Sequence, residues 1–162
     1  MIIISHRGNI DGVDPIRENS PEYIDEALSA GYDVEIDLRM DNGDYYLGHD
    51  RPQYKITQEW LHLRHANLWV HAKDFESCIA LSNELHFCKW FAHNKDPYCL
   101  TSCGYIWLHD DSVTSTKDCV VPLLSKVEVV DQSDIIIEDR AHAICTDYPE
   151  FARQIRLNQD LL

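Results

Sequence analysis

Long apolar runs are missing from this chain. No stretch of about 18 apolar residues occurs, so no transmembrane helix is expected. Basic residues are scarce, with 14 Lys and Arg against 28 Asp and Glu and a formal charge of −14. Nucleic acid and anionic membranes are read through clustered Lys and Arg, so neither is expected as the main partner. A small anionic substrate stays open, because a few cations or a metal invert the field locally. The N-terminus, Met1 to His6, has no basic segment and no long apolar segment, which predicts no secretory signal and a cytoplasmic setting. The six cysteines (Cys78, Cys88, Cys99, Cys103, Cys119, Cys145) lack regular spacing. They are expected to be reduced and to serve as small buried hydrophobes. Repeats, low-complexity tracts and Pro/Gly/Ser linkers are also absent. With 162 residues, 44% of them apolar, the chain is read as one domain over 1–162 with a sizeable core.

What is present is a succession of short β-rich runs. Ile2–His6, Asp33–Arg39, Tyr45–Leu47, Leu68–Ala72, His86–Ala92, Tyr105–His109, Cys119–Leu123, Ile135–Glu138 and Ala143–Thr146 read as strands. Asn42-Gly43 is a hairpin signal before the third of these. Helical patterns fall between several of them. Ser20-Pro21-Glu22 reads as an N-cap, a proline at the first helical position and an acid in the first turn, and Gly31 ends that helix. Thr57–Arg64, Phe75–Leu85 with Asp74 as N-cap, and Phe151–Asn158 read as further helices. Strand and helix in alternation imply a parallel sheet with crossovers. About eight strands predict a compact α/β protein, a TIM-like (β/α)8 barrel. Such barrels usually take ~200–250 residues or more, so several helices are expected to be cut down to loops, above all after residue 93.

The run Asp33-Val34-Glu35-Ile36-Asp37-Leu38-Arg39 alternates strictly between polar and apolar residues. In an antiparallel sheet the polar row would be a solvated face. In a parallel strand both faces are normally buried. Two buried carboxylates two residues apart would repel unless a cation sat between them, and a divalent metal on oxygen ligands resolves the conflict.

The first strand ends in His6-Arg7-Gly8. Its period puts His6 on the inward face with Ile2 and Ile4, at the rim where barrel chemistry takes place. Arg7 can grip a phosphate or carboxylate through two parallel hydrogen bonds. Leu47-Gly48-His49-Asp50 supplies a second histidine, with Asp50 placed to fix its tautomer. In Leu68-Trp69-Val70-His71-Ala72-Lys73, His71 and Lys73 share one face. One can ligate a metal while the other stabilises an oxyanion.

The order of these pieces carries more than each alone. His6-Arg7-Gly8, Glu18-Asn19-Ser20-Pro21, Glu35-x-Asp37, His49-Asp50 and Thr146-Asp147-Tyr148-Pro149 together resemble the glycerophosphodiester phosphodiesterase family, within the phospholipase-C-like barrels. The match is dense over residues 5–50 and returns at 143–149. The resemblance implies a metal-dependent phosphoric diester hydrolase of lipid metabolism acting on a small glycerophosphodiester-like substrate. It implies His6 and His49 as general acid and base, Arg7 and Lys73 on the phosphate, and Glu35 and Asp37 on Mg or Ca. His71 stands where the family has a ligand glutamate. An imidazole there removes one negative charge and shifts preference toward Mn or Zn.

In such a site a nucleophile attacks phosphorus, one histidine takes its proton and the other protonates the leaving oxygen. A neighbouring hydroxyl on the substrate can attack first and give a cyclic phosphate. The alternative is an inactive barrel that binds a phosphate-bearing ligand, against which the retention of both histidines counts. A zinc site from His93, Cys99, Cys103 and His109 departs from the usual ligand order. A calcium buffer lacks any EF-hand loop.

Overall fold

The computed structural model describes residues 1–109 and 115–157. Ten strands form one sheet among the described residues: β1 (Ile2–His6), β2 (Asp33–Asp41), β3 (Asp44–Leu47), β4 (Tyr54–Ile56), β5 (Leu68–Ala72), β6 (Lys89–Phe91), β7 (Tyr98–Leu100), β8 (Ile106–Leu108), β9 (Cys119–Pro122) and β10 (Ala143–Thr146). Seven run parallel in the order β6-β5-β2-β1-β10-β9-β8. The hairpin strands β3 and β4 extend the far end of β2, and β7 folds back antiparallel on β8.

Among the described residues six α-helices cover the outside: α1 (Pro21–Ser29), α2 (Gln58–Arg64), α3 (Phe75–Asn83), α4 (Lys126–Asp131), α5 (Ser133–Ile137) and α6 (Pro149–Leu157). Their starts are set by local chemistry. The hydroxyls of Ser20 and Thr57 accept from the amides of Tyr23 and Trp60, and Asp74 and Ser125 each close a capping box. None of these helices is long and apolar enough to cross a membrane.

The period-two pattern sorts the strands onto two faces. Val34, Ile36, Leu38, Leu68 and Val70 point outward and pack with Ile24, Leu61 and Leu81 of α1, α2 and α3. On the other flank Val121 and Ile144 pack with Ile135, Ile136, Ala152 and Ile155 of α5 and α6. Inward lie Ile4, Trp69, Phe91, Trp107, Val120, Ala143 and Cys145. The inward face of β2 carries Asp33, Glu35 and Asp37, all buried. Asp33 accepts from Trp69 Nε1 (2.9 Å) and Asn67 (2.7 Å) and pairs with Lys89 (3.2 Å), which closes the end of the interior remote from His6.

Two expectations need correction. The sheet curls into a half-barrel and does not close. β6 and β8 are three residues each, and no ladder joins them because β7 turns back on β8. The open edge of β6 is satisfied by the turn after β7. Ser102 N donates to Trp90 O (2.8 Å), and Ser102 Oγ accepts from Trp90 N (2.9 Å). Ring stacking between Phe91 and Trp107, centroids 4.0 Å apart, fills the rest of the seam. Second, Ile135–Glu138 is no strand, since Ser133–Ile137 is helix α5. A β-branched run favours extended chain locally, but Ile135 and Ile136 gain burial only as a helical pair against α6. The expected strand His86–Ala92 shortens to β6, and the helix expected to end at Leu85 ends at Asn83. The expected last helix runs through Leu157, and Asn158 lies outside the described residues.

Candidate active site

The end of β1 brings two candidate site residues, His6 and Arg7, to the rim of the curled sheet. His6 Nδ1 lies 2.8 Å from Asp147 Oδ1, just past β10, and its Nε2 is 3.9 Å from Glu35 Oε2. Burial lowers the basicity of this imidazole. The hydrogen bond to Asp147 and the charge of Glu35 outweigh that, so the His6 pKa is raised above its ordinary value. Arg7 follows in a left-handed conformation (φ 55°), sparsely populated for a residue with a Cβ. Its amide donates to Glu35 O (2.9 Å) and its carbonyl accepts from Asn19 N (3.0 Å). Its guanidinium donates to Glu18 Oε2 (3.2 Å) and makes a charge contact, Nε to Asp37 Oδ2, at 3.1 Å.

Two of the β2 carboxylates meet the inward residues of β5. The register pairs Glu35 with Trp69 and Asp37 with His71. His71 Nδ1 is 3.7 Å from Glu35 Oε1 and 3.5 Å from Asp37 Oδ1, and Lys73 Nζ is 3.6 Å from that same oxygen. Asn19 grips Asp37 twice, donating from Nδ2 to Oδ2 (2.8 Å) and accepting the Asp37 amide (2.9 Å). Burial opposes ionisation of Asp37, but His71, Arg7, Lys73 and Asn19 hold its pKa well below the usual carboxylate range. Burial likewise works against a charged His71, yet Asp37 and Glu35 raise its pKa. The buried carboxylates expected to need a cation therefore have Arg7 and Lys73 from the chain itself.

His49 stands at the mouth, its side chain 41% exposed, with Nδ1 2.6 Å from Asp50 Oδ1. Arg39, two residues beyond Asp37 on β2, holds that loop by donating to His49 O (2.5 Å from Nη2) and Gly48 O (3.0 Å from Nε). Gly48 has φ 146°, and a Cβ there would sit 2.2 Å from Arg51 O, so only glycine makes this turn.

His6, Arg7, Glu35, His49, His71 and Lys73 all line one cavity of about 240 Å³. The rest of its lining is Phe91, His93, Trp107, His109, Pro122, Leu124 and Cys145. The rings form a continuous stack. His71 lies on Phe91 (4.6 Å) and His93 (5.0 Å), and His93 on His109 (3.3 Å). Burial, with the neighbouring His71, pushes His93 down to about 4, and burial with His93 does the same to His109.

Three side chains of the site could hold a cation. Ligand atoms of Glu35, Asp37 and His71 lie within 4.8 Å of one another, and among the described residues no other three His, Cys, Asp or Glu side chains meet this way. Glu35 Oε2 and Asp37 Oδ1 are buried without a hydrogen-bond partner, the state in which a carboxylate oxygen gains most from a metal. The zinc site weighed from sequence does not assemble. Cys99 Sγ is 3.5 Å from His109 Nε2, while Cys103 is exposed and contacts Thr101.

Sequence reasoning quoted Asp147 in a motif without giving it a task, and it passed over Asn9. Asn9 donates both to Asp147 (2.7 Å) and to Glu18 (2.9 Å). The signal for Asp147 is its place one residue beyond the predicted strand Ala143–Thr146. Asn9 offered none.

No family model matches the chain, and no curated protein matches it. Among solved structures it is similar to a glycerophosphodiester phosphodiesterase from Agrobacterium tumefaciens str. C58, with a TM-score of 0.60 and 15% sequence identity, over 97% of this chain and 99% of that one. At that identity the likeness concerns architecture: this chain shares the α/β fold of that phosphodiesterase, with its own sheet left open between β6 and β8.

Proposed function

We propose that the chain is a metal-assisted phosphodiesterase that cleaves a small phosphodiester of the glycerophosphodiester type. The observation that carries this reading is the meeting of His6, Arg7, Glu35, His49, His71 and Lys73 around one cavity. The fold shared with a phosphodiesterase supports it. Binding a phosphate alone would need the cations but not two histidines each held by a carboxylate.

Glu35, Asp37 and His71 would hold one divalent ion, Mg or Ca by the oxygen ligands, Mn or Zn by the imidazole. That ion would neutralise charge developing on the phosphoryl oxygens. Arg7 and Lys73 bind and orient the phosphate beside it. His6 and His49 each have Nδ1 at a carboxylate, which leaves Nε2 to move the proton. One imidazole accepts the proton of the attacking hydroxyl or water as the P–O bond forms. The other gives a proton to the departing alkoxide as the second P–O bond breaks. Attack by a hydroxyl already on the substrate releases a cyclic phosphate, and attack by water releases the monoester.

The test is turnover of an aryl phosphodiester by metal-stripped protein given Mg, Ca, Mn and Zn in turn. Turnover that requires an ion and falls by about 10²–10⁴-fold in folded His6→Ala is expected. No turnover with any ion in a folded protein overturns the reading.

A further inference from the structure

We propose that Asn9 is a positioning residue that couples the proton-transfer side of the cavity to its phosphate-binding side. The inference rests on the phosphodiesterase reading above, and it concerns a residue outside the lining of the cavity. Asn9 is fully buried, three positions after His6. Every polar group it owns is engaged. Its amide N–H donates to His6 O (3.0 Å), its carbonyl accepts from Ser5 Oγ (2.8 Å), and its side-chain oxygen accepts from Asp14 N (3.1 Å).

The side-chain NH₂ does the coupling. One contact runs to Asp147 Oδ1 at 2.7 Å, the oxygen that also meets His6 Nδ1 at 2.8 Å. The other runs to Glu18 Oε1 at 2.9 Å, while Glu18 Oε2 takes Arg7 Nη1 at 3.2 Å. A single planar amide thus sets where the His6 carboxylate sits and where the Arg7 carboxylate sits. Two donors diverging from one short neutral side chain are an asparagine property. Aspartate would bring a third negative charge against two carboxylates. Serine has one hydrogen to give. An apolar residue would leave both carboxylates short of a donor in a buried place, where such hydrogen bonds are worth most.

The chain of contacts continues past both ends. From Asp147 it reaches His6 and then Glu35 (3.9 Å), and from Glu18 it reaches Arg7 and then Asp37 (3.1 Å). A shift of Asn9 therefore moves the acid–base imidazole and the phosphate-binding guanidinium together. Displacements of about 1 Å in such groups are enough to cost a hundredfold in rate.

The experiment compares Asn9→Ala, Asp147→Asn, Glu18→Gln and their double variants, with two readouts. The first is kcat on an aryl phosphodiester with the preferred metal. The second is the Kd of inorganic phosphate by calorimetric titration. Asp147→Asn is expected to lower kcat and leave the phosphate Kd within about twofold. Glu18→Gln is expected to weaken phosphate by about tenfold, with a smaller loss of kcat than Asp147→Asn gives. Asn9→Ala is expected to do both, each by about tenfold. Adding Asp147→Asn to Asn9→Ala should lower kcat by less than the product of the two single effects. Asn9→Ser, which keeps one donor, serves as the second variant should Asn9→Ala not fold, with one readout largely spared. Loss of thermal stability with kcat and phosphate Kd unchanged, or effects that simply multiply, would overturn the coupling. Absent turnover in the wild type would instead remove the phosphodiesterase reading. The phosphate titration still reads the Glu18–Arg7 arm, so the two failures are distinct.

Discussion

On the β1–β2 side of the cavity polar groups are held by other polar groups: His6 by Asp147, Arg7 by Glu18 and Asp37, Asp37 by Asn19 and Lys73. On the β6–β8 side the wall is a stack of rings, Phe91, Trp107, His93 and His109, with two imidazoles kept uncharged by burial. The charged side is rigidified by directed bonds and can hold reacting groups in place. The ring side offers few polar groups to the cavity, and burial of its imidazoles disfavours their charged forms. The two sides also meet structural needs of different kinds. Parallel ladders join β5, β2, β1 and β10, whereas the ring side has to seal the seam the sheet leaves open.

If ring packing seals that seam, its removal should cost more than any other single change on that side. Phe91→Ala should destabilise the protein by about 3–5 kcal/mol in urea unfolding, because Phe91 is buried between His71 and Trp107. A cost below about 1 kcal/mol would mean the seam is held by Ser102 alone.

A smaller effect should sharpen the contrast between charged and uncharged histidines. Burial with His93 and His71 lowers His109 from its ordinary 6.5 to about 4. As pH falls, the unfolded chain takes up the proton first, so stability falls with pH between about 6.5 and about 4. His109→Gln should make that acid-side decline shallower in unfolding measured across this window. An unchanged slope would show that the ring wall is not desolvated. His6 and His71 act in the opposite sense, because their pKa values are raised. Their stabilising share is complete below about 6.5 and declines as pH rises through the raised values.

The contrast also explains what could be read in advance. The charged side was legible because Glu35 and Asp37 on a strict period of two, beside His6-Arg7-Gly8 and the Ser20 cap, violate the apolar habit of buried parallel strands. The same period places His71 on β5 and Lys73 one residue past its end. The ring side was not legible as a wall, since β6 and β8 have only three residues each, too few for periodicity to decide. The open seam follows from where β7 turns back on β8, at the turn that Gly104 closes with φ 91°. Ile135–Glu138 reads as a strand locally, but helix packing against α6 overrides that preference. Asp147 and Asn9 are 138 residues apart. Only the pairing of Ser5 with Thr146, between β1 and β10, brings them together.

The central claim is that Glu35, Asp37 and His71 hold a divalent ion beside a phosphate bound by Arg7 and Lys73. Anomalous diffraction from crystals soaked in Mn²⁺ and inorganic phosphate tests it most directly. The account predicts a manganese peak among Glu35, Asp37 and His71, with phosphate density on Arg7 and Lys73. Manganese bound only at exposed surface carboxylates, with neither ion in the cavity, would contradict it.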